Sequence, residues 1–264
     1  MPTETPKFIL NHLEAIKAKN TLILQEGGFK ISDGYRHKKN GDIKYPNSTI
    51  QDIVKNERIN RKMVIDYFKQ DKSLLTGLYA ALIWGGISNG GYTGDNLSKV
   101  LSSNQDELSK ILKSLKKLIK SHKFKEAYLY MSFNGDGKIK GIGPSYFTKI
   151  FFFLGALNEQ TIVPPIFDKW TNIAYCALKI KDQKTDFLKT YYSSIKNTRL
   201  RSKTAAELYE WFTLDLNRWA NNSNISLNEL EQYLFGTDKR RDKTDKNPRY
   251  YFEKVIKEYV KLNP

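Results

Sequence analysis

The chain has 264 residues, a net charge of +16 and a pI near 9.6. It is long enough to bury a sizeable core, as one large domain or two closely packed ones, and its charge implies a polyanionic partner, nucleic acid or a membrane surface. A single cysteine, Cys176, and three histidines without metal-ligand spacing exclude an internal disulfide and a cysteine-based zinc or iron–sulfur site.

Residues 1–6 have no signal-peptide character and no apolar run reaches spanning length, so a soluble, cytoplasmic protein is expected. Residues 7–18 carry Phe8, Ile9, Leu13 and Ile16 at helical spacing. Between 21 and 46 the character changes. Strand-like runs at 21–24, 29–32 and 42–45 are separated by Gly27-Gly28, Asp33-Gly34 and Asn40-Gly41, which predicts a small β element of hairpins.

From about residue 49 the pattern is helical almost to the end. An apolar helix over 73–84 stops at Trp84-Gly85-Gly86, and a glycine-rich loop runs on to Gly94. Ser103 and Asp106 have capping-box spacing. The helix they open has one apolar stripe, Leu108, Ile111, Leu112, Leu115, Leu118 and Ile119. Its other face holds Lys110, Lys113, Lys116, Lys117 and Lys120, a solvated face that could also line nucleic-acid phosphates. Further on, Thr204 with Glu207 predicts the start of a helix carrying Trp211 and Trp219. Ser226 with Glu229 predicts a short helix ending near Phe235, and Asn247-Pro248 opens the last one. Lys196, Arg199, Arg201 and Lys203 form a basic cluster suited to a phosphate clamp, and 239–243 is a basic turn expected to move.

One region suggests chemistry. Gly141-Ile142-Gly143 is a tight turn after a helix of about 123–133 and the loop Asn134-Gly135-Asp136-Gly137. Pro144 occupies a first helical position, where its missing N–H costs nothing. An apolar helix follows over 145–155. Amides at such a start point outward at the positive end of the dipole and make a seat for a phosphate. Lys149 is the only charge between Lys140 and Glu159, among Tyr146, Phe147, Ile150, Phe151, Phe152 and Phe153. Pro164-Pro165 then forbids helix, and Asp168 is a natural N-cap for a helix over 169–180. For Lys149 the plain alternative is a lysine snorkelling from an amphipathic helix. For Asp168 it is a cap and nothing more.

This order of hairpin, lysine and aspartate is similar to that of the helix-hairpin-helix DNA glycosylases. Gly141-Ile142-Gly143-Pro144-Ser145-Tyr146-Phe147-Thr148-Lys149, with Ile166-Phe167-Asp168-Lys169-Trp170, most resembles the bacterial 8-oxoguanine DNA glycosylase (OGG)-fold proteins, over residues 139–170. The resemblance implies a mainly α, two-lobed glycosylase-like fold with a small N-terminal β element. One lobe would span 60–158 and hold the hairpin. The second, from 1–59 and 159–264, would supply the catalytic aspartate.

The resemblance further implies base flipping and excision of an oxidised or otherwise modified base, with Lys149 and Asp168 catalytic, and an accompanying AP lyase step. Gly141, Gly143, Pro144 and Ser145 would hold a DNA phosphate. In the family's bifunctional members the nucleophilic lysine follows the second hairpin glycine by two positions. Ser145 stands there, and Lys149 comes one turn later on the same helix face, nineteen positions before Asp168. Ser145 therefore keeps open an inactive DNA-binding module, conceivable within an anti-phage system, and an RNA-directed enzyme is a third reading. Trp84, Trp170 and Trp211 are candidates for the base pocket, with Tyr92 and Trp219 beside them, although such aromatics more often belong to a core. No cofactor or metal is expected, a monovalent cation at the hairpin being the one candidate ion. The expected partner is double-stranded DNA with a modified base, not a membrane, and the chain is expected to be a monomer.

Overall fold

In a computed structural model of the chain, the described residues are 4–23, 29–36, 44–89, 94–157, 162–183, 202–236, 243–244 and 246–262. They include thirteen α-helices and one two-stranded antiparallel sheet near the N-terminus, which is the expected mainly α class. The chain divides into two compact units, residues 22–164 and residues 1–21 with 165–264, where the sequence suggested lobe boundaries at 60 and 158.

Helices α1 (Lys7–Leu10) and α2 (Leu13–Ile23) open the chain. Residues 21–23 therefore end a helix and do not begin a strand. Most of the residues from 13 on are good helix formers, and extending a helix adds a bond per residue where nucleating a new element does not. The sheet pairs β1 (Phe29–Lys30) with β2 (Arg58–Ile59), Phe29 opposite Ile59. It thus joins segments distant in sequence, where local hairpins were expected. Asp33-Gly34 lies in a single 3-10 turn, Asp33–Tyr35, capped by the Ser32 hydroxyl. The Gly27-Gly28 and Asn40-Gly41 signals fall outside the described residues.

Between and after the strands come α3 (Ser48–Val54), α4 (Arg61–Gln70), α5 (Leu75–Trp84), α6 (Asn96–Leu101), α7 (Gln105–Lys120), α8 (Phe124–Met131) and α9 (Pro144–Ala156). The last of these is the centre of the 22–164 unit and packs on α4, α5 and α7. That position explains its sequence: Phe147, Ile150, Phe151, Phe153 and Leu154 are essentially sealed from solvent. A helix apolar nearly all round is a core helix. The cap of α7 is Asn104, whose side chain accepts from the Glu107 N–H, and not Ser103. The Ser103 hydroxyl is already used, donating to the Lys99 carbonyl at the end of α6. The apolar stripe of α7 is buried as expected except for half-buried Leu118, and its lysines face outward.

The other unit contains α10 (Lys169–Gln183), α11 (Ser202–Asn222), α12 (Leu227–Phe235) and α13 (Pro248–Leu262). Helix α10 packs on α12 and α13, and α11 packs on α12. Thr204 lies inside α11, two residues past its start, so its spacing to Glu207 is not a cap. The Ser226–Glu229 capping box is present in full. Tyr175, Tyr209, Phe212, Trp219 and Phe252 fill the core. Buried Asp215 on α11 ties the helices together. It accepts from the Tyr175 hydroxyl at 2.8 Å and from Lys179 at 3.1 Å, both on α10, and from Arg218 at 3.1 Å. Removing one partner from such a buried charge network costs about 3–5 kcal/mol. Among the described residues no helix is long and apolar enough to cross a membrane.

Candidate active site

The hairpin loop hangs between two buried anchors, Ile139 and Ile142, and the Ile142 N–H closes the turn onto the Ile139 carbonyl at 3.2 Å. Gly141 sits at φ +88°, and a Cβ there would lie 2.9 Å from the Asn96 carbonyl oxygen on α6. Both the conformation and the close approach require glycine. Gly143 differs. Its φ of −107° suits any residue, and a Cβ there would meet nothing within 4 Å. The fold does not need glycine at 143; the missing side chain leaves open space outside the protein.

Gly143 is the N-cap of α9 and supplies no side-chain cap, and Pro144 follows at N1. The Tyr146 and Phe147 amides both donate to the Gly143 carbonyl. Among the described residues no acceptor meets the amides of Gly143 or Ser145. Two N–H groups at the positive end of a 13-residue helix are thus left for a ligand. Lys99 and Lys140, both exposed, flank the loop.

Lys149 lies half-buried on the one face of α9 that is not closed by apolar packing. Its Nζ donates to the Ser145 carbonyl at 2.5 Å and stands 5.3 Å from the centre of the Tyr146 ring. Helical side chains lean toward the N-terminus, so the amine reaches back one turn to the level of Ser145. Its stem rests on the glycine turn after α5: a Cβ on Gly85 would come within 2.8 Å of Lys149 Cδ. Tyr146 fixes the same corner. Burial pushes its phenol above the ordinary range, and the protonated hydroxyl donates to the Gly86 carbonyl at 3.1 Å. Neither Gly85 nor Tyr146 was singled out from sequence for this role. The i to i+3 spacing of Tyr146 and Lys149 could have suggested the second; nothing local points to Gly85.

Asp168 belongs to the other unit and caps α10. Its Oδ1 accepts from the Trp170 N–H at 2.8 Å and the Thr171 N–H at 3.0 Å, while its own N–H donates to the Thr171 hydroxyl at 3.0 Å. Thr171 in turn donates to the Ile166 carbonyl. All of these bonds to the carboxylate use Oδ1. Oδ2 accepts none among the described residues, and the carboxylate is half-buried.

The three tryptophans have different settings. Trp84 is half-buried in the 22–164 unit, edge-on to Phe153 and Phe29, with buried Arg61 5.3 Å from its ring centre. Trp170 is half-buried and has one ring face covered by Arg249 at 4.3 Å, with Lys169 at 5.0 Å. Trp211 is 45% exposed. Of the other aromatics considered, Trp219 is core and Tyr92 lies outside the described residues. Of the basic cluster before Trp211, Lys203 is exposed, and Lys196, Arg199 and Arg201 lie outside the described residues, as does most of the 239–243 turn.

No curated protein matches the chain, and no solved structure matches it. A family model described as "Putative 8-oxoguanine DNA glycosylase OGG-like protein" matches residues 28–235, well over half of the length, and takes in both the hairpin with Lys149 and the helix start at Asp168. The chain therefore belongs to the OGG-like family of 8-oxoguanine DNA glycosylase-like proteins.

Proposed function

We propose that the protein is a bifunctional DNA glycosylase that excises an oxidised or otherwise modified base from duplex DNA and then cleaves the strand. The observation that carries this reading is the amine of Lys149, brought back along the open start of α9 to the level of Ser145. In similar glycosylases the usual lysine occupies the position of Ser145; Lys149 lies one turn further along on the same helix face, with its amine directed back toward that turn.

In this reading the Gly143 and Ser145 amides hold a phosphate of the target strand, a contact that positions DNA without reading its sequence. The target nucleotide is flipped out of the stack. The neutral Lys149 amine attacks C1′, a C–N bond forms, and the glycosidic bond breaks with its electron pair leaving on the base, which takes up a proton. Asp168 Oδ2 stabilises the positive charge that develops on the sugar, while Oδ1 keeps its place as the cap of α10. The adduct then opens: the C1′–O4′ bond breaks, O4′ takes up the proton that the amine sheds, and C1′ is left as an imine of Lys149. Loss of a C2′ proton then expels the 3′ phosphate.

A second reading, a DNA-binding module without chemistry, is favoured by the same hydrogen bond, since an amine held by the Ser145 carbonyl is also what a resident structural lysine shows. Borohydride trapping on duplexes carrying 8-oxoguanine and other modified bases separates the two. An enzyme with an amine nucleophile gives a covalent adduct, which Lys149→Gln abolishes together with strand cleavage while duplex binding survives. An adduct that persists in Lys149→Gln moves the role to another lysine, Lys169 first. No adduct on any modified base, with binding intact, favours the module.

A further inference from the structure

Helix α9 has two ends, and only the first is taken up by the proposed chemistry. At the other, near Leu157, a depression of about 380 Å³ opens in the 22–164 unit. Phe68, Leu74 and Leu157 line it together with four lysines, Lys69 and Lys72 around the end of α4 and Lys113 and Lys116 on α7. Lys69, Lys72 and Lys113 are exposed and Lys116 is half-buried. Among the described residues none of the four meets a carboxylate at ion-pair distance.

The one acid in the depression is Asp71, and its oxygens are occupied. They accept from the Ser73 and Thr76 amides and from both hydroxyls. Four ammonium groups against one carboxylate leave an excess of positive charge on two facing walls. Like charges held close on folded elements cost stability. A solvated lysine face accounts for α7 alone, and attraction to the C-terminal end of α4 accounts for Lys69 alone. Neither accounts for lysines from two elements converging on one hollow.

The row also continues. Lys110, Lys113, Lys116, Lys117 and Lys120 fall within roughly a third of the circumference of α7 at 100° per residue, so the hollow opens onto a basic strip. A single small anion would need only the hollow. A hollow continuous with such a strip matches a polymer with regularly spaced negative charges.

We propose that the trough walled by Lys69, Lys72, Lys113 and Lys116 is a second phosphate-binding site that grips the backbone of duplex DNA. It rests only on the DNA-binding part of the function proposed above, not on the excision chemistry. Helix α9 is 13 residues long, about 20 Å, so the trough and the hairpin lie about 20 Å apart at its two ends.

The test is the salt dependence of binding to an undamaged duplex of about 20 base pairs, a length several times that separation. Lys72→Glu with Lys113→Glu should lower the slope of log affinity against log salt by about two, one for each lost phosphate contact. The control is Lys257→Glu with Lys261→Glu, an equal charge change on exposed positions of α13. Should the reversed variant fold poorly, Lys72→Gln with Lys113→Gln carries the same expectation. Equal slopes for trough and control variants overturn the inference. If the wild type itself does not bind duplex, the proposed function fails and the trough falls with it. If it binds but never excises, the trough is still tested in full.

Discussion

Two helix starts carry the candidate chemistry, and they are built in opposite ways. Helix α10 is closed by its own residues: Asp168 Oδ1 accepts from the Trp170 and Thr171 amides, and the Asp168 amide donates to the Thr171 hydroxyl. Helix α9 is open: its N-cap is Gly143, its first residue is Pro144, and among the described residues no side chain caps it. A closed start is a device of stability. An open start beside empty space is tolerable on a surface only because water, or an anion, completes it. The comparison teaches where a ligand is expected, and also that a capping carboxylate with an unused oxygen can serve two ends.

The largest effect should come from separating those two ends at α10. Asn caps about as well as Asp, so Asp168→Asn should leave the melting temperature nearly unchanged. Base excision should fall by about 10²–10³, the usual loss when one preorganised electrostatic partner is removed. Asp168→Ala should lose the cap as well, about 0.5–2 kcal/mol. If Asp168→Asn excises at the wild-type rate in single-turnover assays, the carboxylate is only a cap.

Next in size is the reverse operation, closing α9. Gly143→Asp places a good N-cap where there is room for it. Thermal stability should hold or rise by a few tenths of a kcal/mol, while duplex affinity falls and its salt slope drops by about one. Unchanged DNA binding in this variant would remove the phosphate from the hairpin.

The third change contrasts the two hairpin glycines. Gly141→Ala forces a side chain into a left-handed conformation, at about 1–2 kcal/mol, and against the Asn96 carbonyl besides. Gly143→Ala should cost almost nothing in a urea titration. Equal costs would mean that both glycines serve the fold.

The smallest effect concerns a third helix start, that of α5, closed by Asp71. Burial alone would raise this carboxyl, but hydrogen bonds from Ser73 and Thr76 outweigh it and hold it below the ordinary carboxylate range. A carboxyl lowered in the folded state contributes stability that is complete above its unfolded pKa and is lost as pH falls through the folded one. Urea midpoints should therefore decline on acidification, and more shallowly in Asp71→Asn. Parallel declines would mean that the cap makes no pH-dependent contribution.

The helix starts were legible in the sequence where the signal was local. Pro144 after two glycines, Asp168 after two prolines and Ser226 with Glu229 each declare a boundary within four residues. Local signals also misled where two competed. Ser103 and Asn104 both suit a cap, and the choice was made by what else the Ser103 hydroxyl could bond. What the sequence could not offer were partners far along the chain. The pairing of Phe29 with Ile59, Arg61 beside Trp84, and Lys179 with Asp215 are products of packing. So is the hollow where Lys72 and Lys113 meet: the α7 lysines read as one solvated face until α4 stands opposite.

The glycine turn beneath Lys149 has a consequence for timing. A lysine on an open helix surface loses about 2 kcal/mol of rotamer freedom when its head is fixed. Here the stem lies along Gly85 and the head is held at Ser145, with Tyr146 pinned to the same turn. Much of that disorder is removed when the chain folds, before any ligand arrives. A methyl group at position 85 would leave the amine in the protein but release it from its place.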